Sequence, residues 1–290
     1  MSASGDRLGH GDIRRLLDEH GLGPTKSLGQ HFVGDPNTVE RIARLAKIGP
    51  GDQVVEIGAG LGSLTLALAA TGATVTAIEI DRRLVEVLRE LLPSSVQLVH
   101  ADAMSCDWEA LLPGGPWTLV ANLPYNVAIP LVIKLLEHVP RIERMLVMVQ
   151  REAGERLAAG PGGKDYGAVS VRVAYFATAR LAGKVAPEVF HPRPHVASVL
   201  VAIERRIAPA IDPELASYAD IDRLLRAGFG GRRKMLRRSL AGLVSEEAFV
   251  CAGIASSSRA EELDIFAWGK LAGCQRTLAP RDGASPPQPS

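Results

Sequence analysis

The chain has 290 residues, 47% of them hydrophobic, and a formal net charge of +1. That length and composition suit one large globular domain with room for a small companion, and they exclude a disordered or fibrous chain. A charge so near zero excludes a global field for a polyanion, so any nucleic-acid surface has to come from local clusters.

Taken in order, Ile13 to His20 has the spacing of a short amphipathic helix, closed by Gly21-Leu-Gly-Pro24. Lys26 to Pro36 is a glycine-punctuated loop with polar and aromatic residues, and Asn37 to Ala46 returns to helical spacing. Gln53 to Ala69 then joins a β-branched run, Val54, Val55 and Ile57, to a helical pattern through Gly58, Gly60 and Gly62. This reads as strand, tight turn and helix, where glycines let a ligand approach the backbone at the carboxyl end of a strand. A dinucleotide fingerprint needs glycine at position 63, which is serine, whereas Glu79 ends a second strand where an acid can reach ribose hydroxyls. Glu56-Ile-Gly-Ala-Gly-Leu-Gly62 with Glu79 resembles motif I and the ribose-binding acid of S-adenosylmethionine (SAM)-dependent methyltransferases.

The alternation continues: strand 53–57, helix 61–71, strand 74–80, helix 82–92, strands 96–101 and 117–121, helix 127–138 and strand 144–150. It predicts a parallel sheet with helices on both faces and binding residues after the strand ends. Asp102 follows one strand, placed to accept an adenine amino group or to cap a turn. Asn122-Leu-Pro-Tyr125 follows the next. The exocyclic amine of adenine is a poor nucleophile because its lone pair is delocalised into the ring. An Asn carboxamide oxygen and a backbone carbonyl can accept its two N–H groups while an aromatic face holds the base, and Pro124 rigidifies the loop that presents them.

Leu28-Gly-Gln-His-Phe-Val33, the glycine turn, Glu79, Asp102-Ala-Met104, Asn122 to Tyr125, Val149-Gln-Arg-Glu152 and Phe190-His-Pro-Arg-Pro-His-Val-Ala-Ser198 fall in one order across residues 26–205. Together they resemble the ribosomal RNA adenine N6,N6-dimethyltransferase family, and within it the bacterial branch acting on two adjacent adenines near the 3′ end of 16S rRNA. The resemblance implies a Rossmann-like SAM-dependent methyltransferase sheet, with SAM contacts at His31, Val33, Gly58, Glu79, Asp102 and Asn122. It also implies catalytic roles for Asn122 and Tyr125, with Phe190 stacking the flipped adenine opposite Tyr125. At position 31 the family usually has Asn, so His31 reaches the cofactor through either its side chain or its backbone. The partner implied is 16S rRNA in the immature small ribosomal subunit, with a role in ribosome biogenesis. Rival readings are a 23S rRNA adenine methyltransferase of the macrolide-resistance type and an assembly factor whose methylation is secondary.

Tyr166 to Phe176 is ambiguous between helix and strand, and 181–185 and 196–203 read as closing strands. Prolines near 205–213 mark a boundary, giving a catalytic domain over 1–205, a small all-α rRNA-docking domain over 206–279 and a disordered tail over 280–290. Arg223, Arg226, Arg232, Arg233, Lys234, Arg237 and Arg238 crowd one interval with only Asp222 opposing them, a cluster suited to RNA phosphates. Cys106, Cys251 and Cys274 form no Cys-x-x-Cys, which argues against a zinc site or a disulfide framework and suits a reducing cytosol. No apolar leader or stretch of about 18 apolar residues occurs, so a cytoplasmic protein without a membrane partner is expected, and with no obvious interface stripe or metal-ligand spacing a monomer without metal is expected as well.

Overall fold

The computed structural model describes residues 7–25, 28–231 and 234–278. Lys26, Arg232, Arg233 and the tail expected to be disordered lie outside the described residues. The chain divides into two compact units, the first Met1–Ala158 with Phe176–Ile207, the second Ala159–Tyr175 with Ala208–Ser290. Residues 159–175, inside the 1–205 span expected for the catalytic domain, thus group with the C-terminal helices.

The first unit opens with α1 (His10–Glu19), β1 (Phe32–Val33) and α2 (Pro36–Ala46). Asp35 caps α2, its carboxylate accepting the Thr38 N–H while Pro36 supplies a preset φ at the first position. There follow β2 (Gln53–Ile57), α3 (Ser63–Ala69), β3 (Thr74–Glu79), α4 (Arg82–Leu91), β4 (Gln97–His100), α5 (Trp108–Leu111), β5 (Trp117–Asn122), α6 (Ala128–His138), β6 (Ile142–Gln150) and α7 (Arg151–Ala158). The stretch read as ambiguous is helical, α8 (Ala168–Phe176), and β7 (Ala177–Val185), β8 (Phe190–His191) and β9 (Ser198–Arg205) complete the strands.

Seven strands form one sheet in the order β4-β3-β2-β5-β6-β9-β7. The first five are parallel, and β9 runs antiparallel to both β6 and β7. The chain leaves β2 towards β3 and β4, then returns to lay β5 and β6 on the other side. That reversal opens a crevice at the carboxyl ends of β2 and β5, where ligands bind in doubly wound folds. Val54, Val55, Val75, Ala77, Leu119 and Val120 are fully buried, as strands covered on both faces require.

Arg205, the last residue of β9, closes α6 at its far end. Its guanidinium donates to the carbonyls of Leu135, Leu136, Val139 and Ile142 at 2.9–3.2 Å; the Leu136 carbonyl, left without an amide donor by Pro140, gains its partner this way, while Leu135 and Val139 also accept the N–H groups of Val139 and Ile142.

The second unit contains α8 with α9 (Tyr218–Gly230), α10 (Leu236–Ser239), α11 (Glu246–Ala252) and α12 (Ile265–Leu278). Its core centres on Trp268, which is fully buried. Gly228 makes room for it, since a Cβ there would stand 2.6 Å from the indole. Cys251 on α11 and Cys274 on α12 are joined by a disulfide, with Cα atoms 5.9 Å apart. This corrects the expectation that no disulfide forms: packing two helices together brings the cysteines into range, a closeness their separation of 23 residues does not disclose.

Candidate active site

Two strand ends build the site. After β2, Gly58, Gly60 and Gly62 take φ values of 77°, 61° and 85°, which L side chains rarely adopt. The N–H groups of Gly58 and Ala59 donate to the Ile78 carbonyl, at 2.8 and 3.3 Å, tying the turn to β3. At the end of β3, Glu79 is 4% exposed, and its carboxylate accepts the N–H groups of Gly60, Ile80 and Asp81 at 2.8–2.9 Å. Burial raises its carboxyl above the usual range, while those three donors pull the other way. Glu56, 1% exposed within β2, is pushed up to about 8 by burial, with Thr65 opposing and the charge of Glu79 reinforcing the shift.

Two cavities adjoin at this crevice. One is lined mostly by apolar side chains, among them Leu28, Ile57, Ile80 and Leu131, with Asp102 at its rim. Asp102 accepts the Met104 N–H at 2.8 Å, so it caps its own turn while also facing the cavity. The other cavity is lined by His31, Gly58, Gly60, Glu79, Asn122 and Tyr125. Buried polar atoms without a partner, Ser63 Oγ and Glu56 Oε2, lie at the same glycine turn. An apolar slot with one carboxylate, a second carboxylate beyond a Cβ-free turn and unsatisfied polar atoms fit a nucleoside cofactor with a charged amino-acid end.

After β5, Asn122 donates from Nδ2 to the His31 carbonyl at 2.9 Å. Leu123 is anchored by its N–H to the Met148 carbonyl, whereas the Pro124 carbonyl accepts from Val127 and Ala128 at the start of α6. Of the two carbonyls, that of Pro124 is therefore committed to the helix. Tyr125 shares a hydrogen bond with Ser198 Oγ at 3.0 Å, and its ring stacks on His31 with centroids 5.5 Å apart and planes 26° from parallel. Burial raises the Tyr125 phenol above its ordinary value, so it stays protonated.

The structure gathers His31, Gly58, Glu79, Asn122 and Tyr125 around one cavity, with Asp102 on the adjoining one. Val33 lines a small recess beside Gly58 and Ser63. Phe190, expected to stack on the base, is 3% exposed and belongs to the core cluster with Val33, Val39 and Ile42. Its register with Val33 in the short β1–β8 ladder turns it inward. Two contributions are not evident in the sequence: Ile80 is an apolar side chain left 46% exposed beside Glu79, and Ser198, the last residue of the 190–198 motif, is fully buried as the anchor of Tyr125. An apolar residue directly after a strand-end acid was the available signal for Ile80.

In the second unit the basic cluster is partly spent. Asp222 pairs with both Arg172 and Arg226 at 2.7 Å, and Asp220 with Arg223 at 3.6 Å. Lys234, Arg237 and Arg238 are exposed and make no ion pair among the described residues. Among those residues no helix is long and apolar enough to cross a membrane, and no three His, Cys, Asp or Glu side chains are grouped to hold a metal ion.

A family model described as ribosomal RNA adenine dimethylase matches residues 24–272. The chain is 45% identical over 279 residues to the ribosomal RNA small subunit methyltransferase A of Leifsonia xyli subsp. xyli, across 91% of this chain and 97% of that protein. It is likewise 45% identical over 282 residues to the enzyme of the same name from Streptomyces coelicolor, across 91% and 96%. Among solved structures, a dimethyladenosine transferase from Plasmodium falciparum aligns with a TM-score of 0.69 at 25% identity, covering 83% of this chain and 96% of that one. The 23S rRNA methyltransferase ErmE aligns with a TM-score of 0.67, also at 25% identity, over 84% and 99%.

Proposed function

The chain belongs to the ribosomal RNA adenine dimethylase family, and from that premise we propose that it uses SAM to dimethylate N6 of two adjacent adenines near the 3′ end of 16S rRNA. It is an rRNA adenine dimethyltransferase, and methyltransferase names recur among its relatives. Its substrate is the small ribosomal subunit during biogenesis, and it works as a cytoplasmic monomer.

The single observation that carries the chemistry is the Asn122 hydrogen bond to the His31 carbonyl. It consumes the donor end of the carboxamide and leaves Oδ1 as an acceptor beside the glycine turn. Asn122 Oδ1 accepts one N6–H of the target adenine and the Leu123 carbonyl accepts the other, which favours the localised lone pair on nitrogen. The Tyr125 ring holds the base. Glu79 receives the ribose hydroxyls, Asp102 the cofactor's adenine amine, and the backbone at Gly58, His31 and Val33 lines its path. When bound, SAM supplies a sulfonium-linked methyl group with a neutral leaving group, so these residues supply position and desolvation rather than a strong base. The second unit docks rRNA phosphates through Lys234, Arg237 and Arg238.

The small-subunit reading is supported over the 23S alternative by 45% identity to small-subunit methyltransferases against 25% to ErmE. The test incubates purified protein and methyl-labelled SAM with small subunits from cells lacking this activity, then analyses the 16S 3′ region by mass spectrometry. Dimethylation of two adjacent adenines, lost with Asn122→Ala, is the expected result. Labelling of 23S rRNA alone overturns the substrate and keeps the chemistry.

A further inference from the structure

His31 touches three parts of the site at once, each by a different group. Its carbonyl receives Asn122 Nδ2 at 2.9 Å, its ring stacks on Tyr125, and its Nδ1 lies 2.7 Å from the Pro192 carbonyl. A carbonyl only accepts, so the hydrogen of that last bond is on Nδ1 and the ring orientation is fixed. The next residues continue the connection. Phe32 and Val33 pair antiparallel with His191 and Phe190, and the Gly34 N–H donates to the Val189 carbonyl at 2.8 Å. The segment 28–34, which borders the cofactor cavities, and the segment 189–194 therefore form one hydrogen-bonded piece with His31 at its edge. Tyr125 is held at two points as well, by Ser198 at its hydroxyl and by the imidazole against its ring.

We propose that the His31 imidazole is a positioning residue for the target base: it covers one face of Tyr125 and pins the 189–194 segment, so the adenine is seated on the remaining face at a fixed distance from Asn122. Its contact with the cofactor is through the main chain. The Asn usual at this position can hydrogen-bond the Pro192 carbonyl but has no ring to lay on Tyr125. The consequence concerns the second methyl transfer. After the first, N6 carries a methyl group and one hydrogen, so the base has to be held in register by its plane more than by its amine. A seat without the imidazole releases more monomethylated product before the second transfer.

This inference rests on the dimethyltransferase reading, and the experiment separates the two. Wild type, His31→Ala and His31→Asn are compared for S-adenosylhomocysteine affinity by calorimetry and for the ratio of N6-monomethyl to N6,N6-dimethyladenosine formed on undermethylated small subunits. Both variants are expected to bind S-adenosylhomocysteine within about twofold of wild type, while the monomethyl share rises roughly fivefold or more in His31→Ala and by less in His31→Asn, which keeps a hydrogen bond to the Pro192 carbonyl. The ratio is compared at equal total methyl incorporation, with the folded fraction of each variant taken from its S-adenosylhomocysteine binding stoichiometry, so that a loss of active protein slows the approach to a given incorporation without counting for or against the seat. An unchanged ratio, or activity lost in step with S-adenosylhomocysteine affinity, overturns the proposal. Wild-type protein that forms no dimethyladenosine on 16S rRNA overturns instead the reading on which it rests.

Discussion

Asn122 and His31 stand 91 residues apart in sequence, yet the carboxamide of one donates to the main-chain carbonyl of the other at 2.9 Å. The bond sets which end of the carboxamide faces the cavity. Asn122→Asp keeps the shape but replaces the donor with a second acceptor, which repels the His31 carbonyl. We expect kcat/KM on small subunits to fall by roughly a hundredfold to a thousandfold, the range for losing one preorganised polar contact. S-adenosylhomocysteine affinity, measured in parallel, should change far less; equal losses in both would mean that Asn122 serves the cofactor alone.

The buried Glu56 makes stability depend on pH in a direction opposite to most carboxylates. Its carboxyl is raised to about 8 in the folded protein, whereas the unfolded chain releases that proton near the ordinary value. Between these two values the folded state holds one more proton than the unfolded state. Stability is therefore fully present below the lower value and declines as pH climbs through the interval, by on the order of 1 kcal/mol per pH unit, levelling above the upper one. Glu79, raised in the same direction, adds to the same slope. Urea unfolding at a series of pH values should show a shallower decline for Glu56→Gln than for wild type, and parallel curves would show that Glu56 is not protonated.

Three exposed cations should carry the salt dependence of rRNA binding. Replacing Lys234, Arg237 and Arg238 together with Ala is expected to weaken binding and reduce the slope of log K against log salt by roughly two to three. Arg226→Ala should do less to the slope, because its charge is already paired with Asp222 at 2.7 Å. Filter binding across a salt series tests both, and an unchanged slope in the triple variant removes the docking role from this face.

The Cys251–Cys274 disulfide closes a loop with a sequence separation of 23. Chain-entropy arguments assign such a closure about 3 kcal/mol. Thermal unfolding with and without a thiol reductant should therefore show a reductant-dependent loss of stability, absent from Cys251→Ser. Identical melting of the oxidised and reduced wild-type protein would mean that helix packing alone holds α11 and α12 together.

Much of the first unit was readable because its signals are local. Val54, Val55 and Ile57 read as a doubly covered strand from their β-branching and shortness, and the glycines after them mark a turn whatever lies around it. The same holds for Asn122-Leu-Pro-Tyr125, read as a proline-stiffened turn after a strand and found directly after β5 on the cavity wall. What stayed hidden depends on partners far along the chain. Phe190 looks like a rim aromatic until its pairing with Val33 shows which way it points. Tyr166 to Phe176 alternates β-branched and small residues in a way that suits either period. Its helical form places Arg172 on Asp222 and Tyr175 against Tyr218, with ring centroids 4.9 Å apart, contacts made with a helix about 50 residues on. The basic cluster was visible as composition, but which cations are free depended on where Asp220 and Asp222 sit.

Arg205 gives the first unit a timetable. The helix that begins just after Tyr125 has its Leu136 carbonyl satisfied by a guanidinium roughly 70 residues later in the chain, and that side chain belongs to a strand inserted between two others. As the polypeptide emerges during synthesis, the segment bearing Asn122-Leu-Pro-Tyr125 is exposed well before the arginine at the far end of its helix has been made. A chain stopped before β9 has the glycine turn and the tetrapeptide but lacks the penultimate strand of the sheet and the arginine that reaches the Leu136 carbonyl. The strand that carries this arginine is thus added behind the tetrapeptide only after almost the entire first unit has been synthesised.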